Sequence, residues 1–221
     1  VVPSSLFQHL DGNIVDSYHN ITADYFPQAK IVVYCGILGI CLPLARGMGR
    51  CAGKQHQEVL RTMQCTEKYF EADAFRTRAE SVLLAAVPDS RTGGGLIALE
   101  GTVFYPEGGG QPADRGTLTL PDGTELAVTD VHEQDGILWH SVPSLPDTAV
   151  PGITVEEAID WDWRFDKMQQ HTGEHILSGI LHRMFGAENV GFHIGAEAVR
   201  MDTSVPISAE GLRAAELEAN R

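Results

Sequence analysis

Two histidines four residues apart carry the sharpest chemical signal in this sequence, in the run His171-Thr172-Gly173-Glu174-His175. On a helix, positions i and i+4 stand one turn apart on one face, so both imidazoles can reach a single ion. Zinc suits imidazole at ~2.0–2.1 Å, and two histidines need at least one further ligand. The same spacing also fits a half-buried pair with no metal. A second signal is the run Phe104-Tyr105-Pro106-Glu107-Gly108-Gly109-Gly110-Gln111-Pro112-Ala113-Asp114-Arg115-Gly116. Its three consecutive glycines form a permissive backbone framed by two rigid prolines. A ligand can come close to such a main chain, and Gln111 adds an uncharged side chain that both donates and accepts. A plain surface turn is the alternative there. His193, in Gly191-Phe192-His193-Ile194-Gly195, falls on a predicted strand. Strand histidines pack or face solvent as readily as they bind substrate. Glu174 and Asp114 read as isolated carboxylates, one on a helix face and one in a turn. No G-x-S-x-G or Walker A run occurs, and no motif around Cys65 makes it a nucleophile.

The elements that must position these residues fall into two blocks. Short β-like runs span residues 81–87, 96–104, 116–120, 124–131, 137–142 and 153–159. Turn signals separate them at Gly93-Gly94-Gly95, Pro121-Asp122-Gly123, Asp135-Gly136 and Pro151-Gly152. Leu120-Pro121-Asp122-Gly123-Thr124 predicts a hairpin, and strands at this spacing predict a small barrel or sandwich. After Trp161 the period changes to three and four. Met168, His171, His175, Leu177, Leu181 and Met184 then mark one helix face, ended by Phe185-Gly186. Extended pieces at 189–194 and 198–205 follow, and Ser208 reads as the N-cap of a helix over 209–220. The sequence stops at Arg221 with no helix-stop signal, which implies a truncated end.

Composition narrows the function classes. The 221 residues are 43% hydrophobic and 21% charged, which is globular. Sixteen basic against thirty acidic side chains give a net charge of −14. That excludes a nucleic-acid binder working by whole-surface attraction and leaves room only for a local basic patch. All four cysteines lie at or before Cys65 with no C-x-x-C pair, so the chain reads as reduced and cytoplasmic. The longest apolar run, residues 31–45, contains Pro43 and falls short of the ~20 residues a spanning helix needs, so no membrane is expected. Residues 1–62 hold five basic and four acidic groups, against eleven and twenty-six in the remainder. That shift marks 1–62 as an unassigned N-terminal segment, readable as translated leader or as an unfamiliar extension.

Together the two motifs are more specific than either alone. FYPEGGGQPADRG followed by MQQHTGEHILSG resembles the alanyl-tRNA editing family: the free-standing AlaX proteins and the editing domain of alanyl-tRNA synthetase. The second additional domain of threonyl- and alanyl-tRNA synthetases is a more distant relation. The resemblance runs from about Met63 to Arg221, including VGFHIG, and does not reach 1–62. It implies an α+β chain. Residues 63–160 would form a small β-barrel-like domain with the Gly-rich loop. Residues 161–221 would begin an α/β editing domain, helix on antiparallel sheet, that is incomplete. It further implies hydrolysis, in trans, of tRNA for alanine mischarged with serine or glycine. By position, His171 and His175 match the family's first two zinc ligands. The resemblance implies a later Cys-x-x-x-His as the other two, expected beyond Arg221. Gln111 takes a catalytic role, and Gly108, Gly109, Gly110 and His193 contact substrate, with His193 also a candidate to complete the metal site. Arg115, Arg164, Lys167, Arg183 and Arg200 are candidates for a patch under the tRNA acceptor end. Three other readings stay open: a fragment of an alanyl-tRNA synthetase editing region, an inactive remnant, and an inverted-motif (H-x-x-E-H) zinc protease with Glu174 as general base.

Overall fold

A computed structural model of the chain describes residues 18–22, 30–34, 65–195 and 198–221. The chain divides into two units, residues 45–164 and residues 1–44 together with 165–221. The strands in chain order are β1 (Tyr18–Thr22), β2 (Lys30–Tyr34), β3 (Glu67–Lys68), β4 (Arg78–Pro88), β5 (Gly95–Leu99), β6 (Gly101–Thr102), β7 (Gly116–Thr119), β8 (Glu125–Val128), β9 (Asp130–Gln134), β10 (Ile137–Val142), β11 (Thr154–Ile159), β12 (Asn189–Ile194) and β13 (Val199–Thr203). The helices are α1 (Tyr69–Ala72), α2 (Trp161–Phe185) and α3 (Ala209–Ala219).

In the first unit, seven antiparallel strands run in the order β8-β7-β11-β4-β5-β10-β9. The two outermost strands, β8 and β9, are consecutive in sequence with only Thr129 between them. A sheet whose two edges are joined by one residue must curl until they meet, which makes a near-closed barrel. Thr129 bridges the seam by donating its N–H to the Ser141 carbonyl at 3.0 Å. The predicted run 124–131 is therefore two strands, split at the seam. The run 96–104 likewise ends at Leu99, and Gly101–Thr102 pairs in parallel with β3 instead. The expected hairpin at residues 120–124 forms, and the turn signal at Asp135-Gly136 makes a second between β9 and β10. Gly123 has φ +83° and the Thr124 N–H bonds the Asp122 carboxylate, while Asp135 and Gly136 both take positive φ, as a type I′ turn requires. The barrel is filled by Leu83, Ile97, Leu99, Phe104, Leu118 and Leu138 among others. Strands β5 and β10 bury both faces, because Leu96, Ala98, Ile137 and Trp139 form a second cluster.

Inside the barrel sits a fully enclosed polar chain. His140 Nδ1 lies 3.0 Å from the Ile97 carbonyl oxygen, which only accepts, so that nitrogen carries the proton. Its Nε2 lies 2.9 Å from the Thr102 hydroxyl, and that hydroxyl lies 2.5 Å from Glu157 Oε2. One hydroxyl proton cannot fill both contacts. With Glu157 ionised, Thr102 donates to the carboxylate and Nε2 faces an oxygen with no proton between. With Glu157 protonated, the carboxyl donates to Thr102, and Thr102 donates to His140. Glu157 Oε1 has no hydrogen-bond partner among the described residues, as suits the carbonyl of a neutral acid better than an ion. Burial pushes the Glu157 carboxyl up from its ordinary 4.5 to about 7 and the His140 imidazole down from 6.5 to about 4.

The second unit holds a four-stranded sheet in the order β1-β2-β13-β12. Its β2–β13 pair is parallel and the others antiparallel. Two of its strands thus come from within residues 1–62. Leu177 and Leu181 of α2 share a core with Ile194, Val199 and Met201 of the sheet and Leu212 and Ala215 of α3. This is the helix-on-sheet arrangement expected of an α+β chain. Gly186, at φ +64°, ends α2, and the Ser208 hydroxyl caps α3 by accepting from the Gly211 N–H at 3.1 Å. The buried stripe of α2 differs from the expected one. It runs through Lys167, Gln170, Glu174, Leu177 and Leu181, whereas His175 and Met184 are exposed.

The barrel's polar chain has a pH consequence. A raised Glu157 contributes stability that is full below 4.5 and is lost as pH rises through about 7. A depressed His140 contributes stability that is full above 6.5 and is lost as pH falls through about 4. Between pH 4.5 and 6.5 the two slopes oppose and cancel. In Glu157→Gln only the histidine slope remains, so unfolding free energy from urea titration should climb ~2–3 kcal/mol relative to wild type across that window. Parallel pH profiles for the two proteins would place the extra proton elsewhere.

Candidate functional site

The Gly-rich loop is closed at its base by reciprocal bonds. Tyr105 N–H donates to Asp114 Oδ2 at 2.7 Å, and Asp114 N–H donates to the Tyr105 carbonyl at 2.9 Å. At the tip, Gly108 and Gln111 exchange both backbone bonds, at 3.1 and 3.0 Å. Gly109 and Gly110 between them have φ of +58° and +81°. Two successive positive φ values define a type I′ turn, a backbone that other residues adopt with strain. Gly109 and Gly110 are exposed, and their N–H groups make no backbone hydrogen bond among the described residues. Gln111 is buried directly beneath them in sequence.

Asp114 is itself buried and clamped by Arg164. Arg164 Nε lies 2.8 Å from both carboxylate oxygens, and its Nη2 also contacts Oδ2. The remaining guanidinium protons go to the Val103 carbonyl at 2.7 Å and the Ala74 carbonyl at 3.0 Å. Asp160 caps the start of α2 through the Trp163 N–H, and Trp163 Nε1 donates to the Ala113 carbonyl at 2.9 Å. The Arg115 guanidinium rests 3.8 Å from the centre of the Trp163 ring. The first turn of α2 therefore fixes the C-terminal stem of the loop.

In the second unit, the His171 and His175 rings stack with centroids 4.8 Å apart and 23° between planes. Ligand atoms of His171, Glu174 and His175 all lie within 4.8 Å of one another, a separation that small side-chain rotations would close around one ion. Burial pushes the His171 imidazole below its ordinary 6.5, and the neighbouring His175 adds to that effect. A neutral imidazole is the form that ligates metal. Phe192 on β12 lies against the His171 ring, with centroids 5.3 Å apart.

The helix spacing thus brings His171 and His175 together as expected. His193 is not in that cluster. Strand side chains alternate, so His193 points to the face opposite Phe192, beside its exposed cross-strand neighbour Arg200. Two expected surface cations are also absent from the surface. Arg164 is buried on Asp114, and Lys167 is buried beside Asp166 at 2.7 Å. Arg183 pairs with Glu218 at 2.5 Å, while Arg115 and Arg200 are exposed. Sequence reasoning placed Arg164 only in a surface patch for tRNA, gave Asn189 no part, and, outside the protease reading of Glu174, left Asp114 and Glu174 as solitary carboxylates. The one available signal was a charged residue recurring on the apolar stripe of α2.

The family model for tRNA synthetases class II (A) matches residues 52–163, half of the chain. The chain belongs to this family. Its relatives include the alanyl-tRNA editing protein AlaX-L of Pyrococcus horikoshii, 36% identical over 125 residues, which cover 57% of this chain and 31% of the relative. AlaX-M of the same organism is 37% identical over 145 residues, 64% of this chain and 62% of the relative. The alanine–tRNA ligase of Pyrococcus abyssi is 36% identical over 168 residues, 74% of this chain and 18% of the ligase. The chain is thus AlaX-like in sequence and spans less than two thirds of each of these relatives. No helix among the described residues is long and apolar enough to cross a membrane.

The clamp at the loop base is the feature of this family member most exposed to test. Removing one member of a buried ion pair leaves the other charge desolvated and alone, at ~3–5 kcal/mol. Asp114→Asn should lower the unfolding free energy by that amount in a urea titration. A loss below ~1 kcal/mol would mean the pair behaves like a surface bridge.

Proposed function

We propose that the chain hydrolyses the ester joining wrongly attached serine or glycine to tRNA for alanine, at a zinc site whose first two ligands are His171 and His175. The observation that carries this reading is the stacked histidine pair, with burial pushing the His171 imidazole toward its neutral form, in a chain similar to alanyl-tRNA editing proteins. Two imidazoles one helical turn apart are a donor set that suits zinc. The family resemblance supplies the other ligands from a Cys-x-x-x-His beyond Arg221. Bound there, zinc polarises a carbonyl or water, or orients the substrate amine.

The chain's own groups do the rest. Gln111 and the Gly109 and Gly110 N–H groups offer donors, set on a rigid turn, to the oxyanion that develops as water adds to the ester carbonyl. By the same resemblance this loop lies against the mischarged 3′ end. A site that hydrogen-bonds the serine hydroxyl rejects alanine, because its polar groups would be left unpaired in the smaller residue's complex. His193, on the outer face of β12, serves the substrate side rather than the metal. With Arg164 and Lys167 buried, the acceptor end is left chiefly with Arg115 and Arg200, so tRNA affinity is weak and, with few phosphates neutralised, falls only shallowly with salt.

Glu174 is poorly placed for the inverted-motif protease reading. It is buried, and its two oxygens face Asn189 at 2.5 Å and His175 at 3.3 Å.

Deacylation of seryl-tRNA for alanine by the zinc-supplemented protein carrying the expected Cys-x-x-x-His tests the proposal. Gln111→Ala should slow turnover by ~10²-fold or more, as loss of an oxyanion donor does elsewhere. His171→Ala should lose bound zinc and activity together. A zinc-loaded chain that leaves the mischarged tRNA intact would sink the proposal.

A further inference from the structure

Glu174 is a carboxylate buried to 1% exposure on the stripe of α2 that continues into Leu177 and Leu181. A charge so enclosed needs partners for both oxygens. The first partner is fixed by backbone. Gly191 N–H donates to Asn189 Oδ1 at 3.0 Å, which leaves the Asn189 amide nitrogen as the end that faces Glu174 Oε1, at 2.5 Å. The second is His175, whose Nδ1 lies 3.3 Å from Oε2. The contact is an ion-pair distance and not an aligned hydrogen bond, yet a carboxylate that close favours a hydrogen on Nδ1 over a lone pair, which leaves the lone pair on Nε2. The pairing of β12 with β13 slips at this point, between Asn189 and Gly191. Bulges of this kind re-aim a side chain beside functional sites.

We infer that Glu174 is a positioning residue: held by Asn189 at the β12 bulge, it fixes the His175 tautomer so that Nε2 faces the ion. The inference rests on the zinc reading of His171 and His175. Glu174 acts through His175 and not as a ligand: Asn189 holds Oε1, and Oε2 is turned to His175 Nδ1. Carboxylates that orient ligating histidines typically carry 10–100-fold in metal affinity.

The test measures zinc alone, by competition with a chromophoric chelator, together with the His175 tautomer from imidazole nitrogen–proton NMR correlations in the metal-free chain. Wild type should show the Nδ1–H form. Glu174→Ala should revert to the Nε2–H form common in water and bind zinc ~10–100-fold more weakly. Asn189→Ala removes an exposed side chain and keeps the fold accessible if Glu174→Ala does not fold. It should weaken zinc several-fold. Unchanged affinity in both variants, or an unchanged tautomer in Glu174→Ala, overturns the inference. Loss of zinc in Glu174→Ala as complete as in His175→Ala overturns it too, by making Glu174 a ligand. If His171→Ala and His175→Ala both bind zinc like wild type, the metal reading itself has failed instead.

Discussion

Most of what is ordered around the Gly-rich loop hangs on one guanidinium. Arg164 meets both oxygens of Asp114 and two main-chain carbonyls, Val103 and Ala74, so it ties together three segments far apart in sequence. Burying an arginine and an aspartate is unfavourable unless their hydrogen-bonding capacity is nearly filled. Here it is nearly filled, because Asp114 also accepts from the Tyr105 N–H. The loop between Tyr105 and Asp114 is therefore held at its neck by charge and at its tip by the Gly108–Gln111 turn. Flexibility in sequence has become rigidity in place, which is what a donor array for an oxyanion requires.

The two units solve the same problem differently. The barrel hides its polar groups by pairing them inside a closed sheet, down to the Thr102, His140 and Glu157 chain. The helix-bearing unit instead lets polar residues run along the buried side of α2 and answers them with Asp166 of the same helix and Asn189 of β12. Both put polar groups where apolar ones would pack more easily, and in the helix-bearing unit the buried Glu174 adjoins His175.

Local patterns were the legible part. The Asp-Gly and Pro-Asp-Gly turns, the Gly186 stop, the Ser208 cap and the i, i+4 histidine pair all follow from neighbouring residues, and each stands as expected. What the sequence hid depends on distant partners. Asp114 and Arg164 are fifty residues apart, and nothing near either announces the other. The face of α2 was misjudged for the same reason. Hydrophobicity marks Met168 and Met184, but Lys167, Gln170 and Glu174 take the buried positions because Asp166 and Asn189 supply polar company there. The break of one predicted strand into β8 and β9 could not be read either, since Thr129 becomes a seam only once the sheet has curled. The strands within residues 1–62 escaped because their pairing is with β13, far along the chain.

That seam also bears on how the protein behaves among copies of itself. A β-strand with unpaired N–H and C=O groups is a template on which another chain can add, and exposed edges are where sheet proteins stick together. In the barrel the two outermost strands follow one another across Thr129, so the curled sheet brings its margins together instead of leaving them far apart. Among the described residues the four-stranded sheet has two margins, β1 and β12. A strand added to that sheet would meet one of them, and β12 is the margin that carries Asn189, Phe192 and His193.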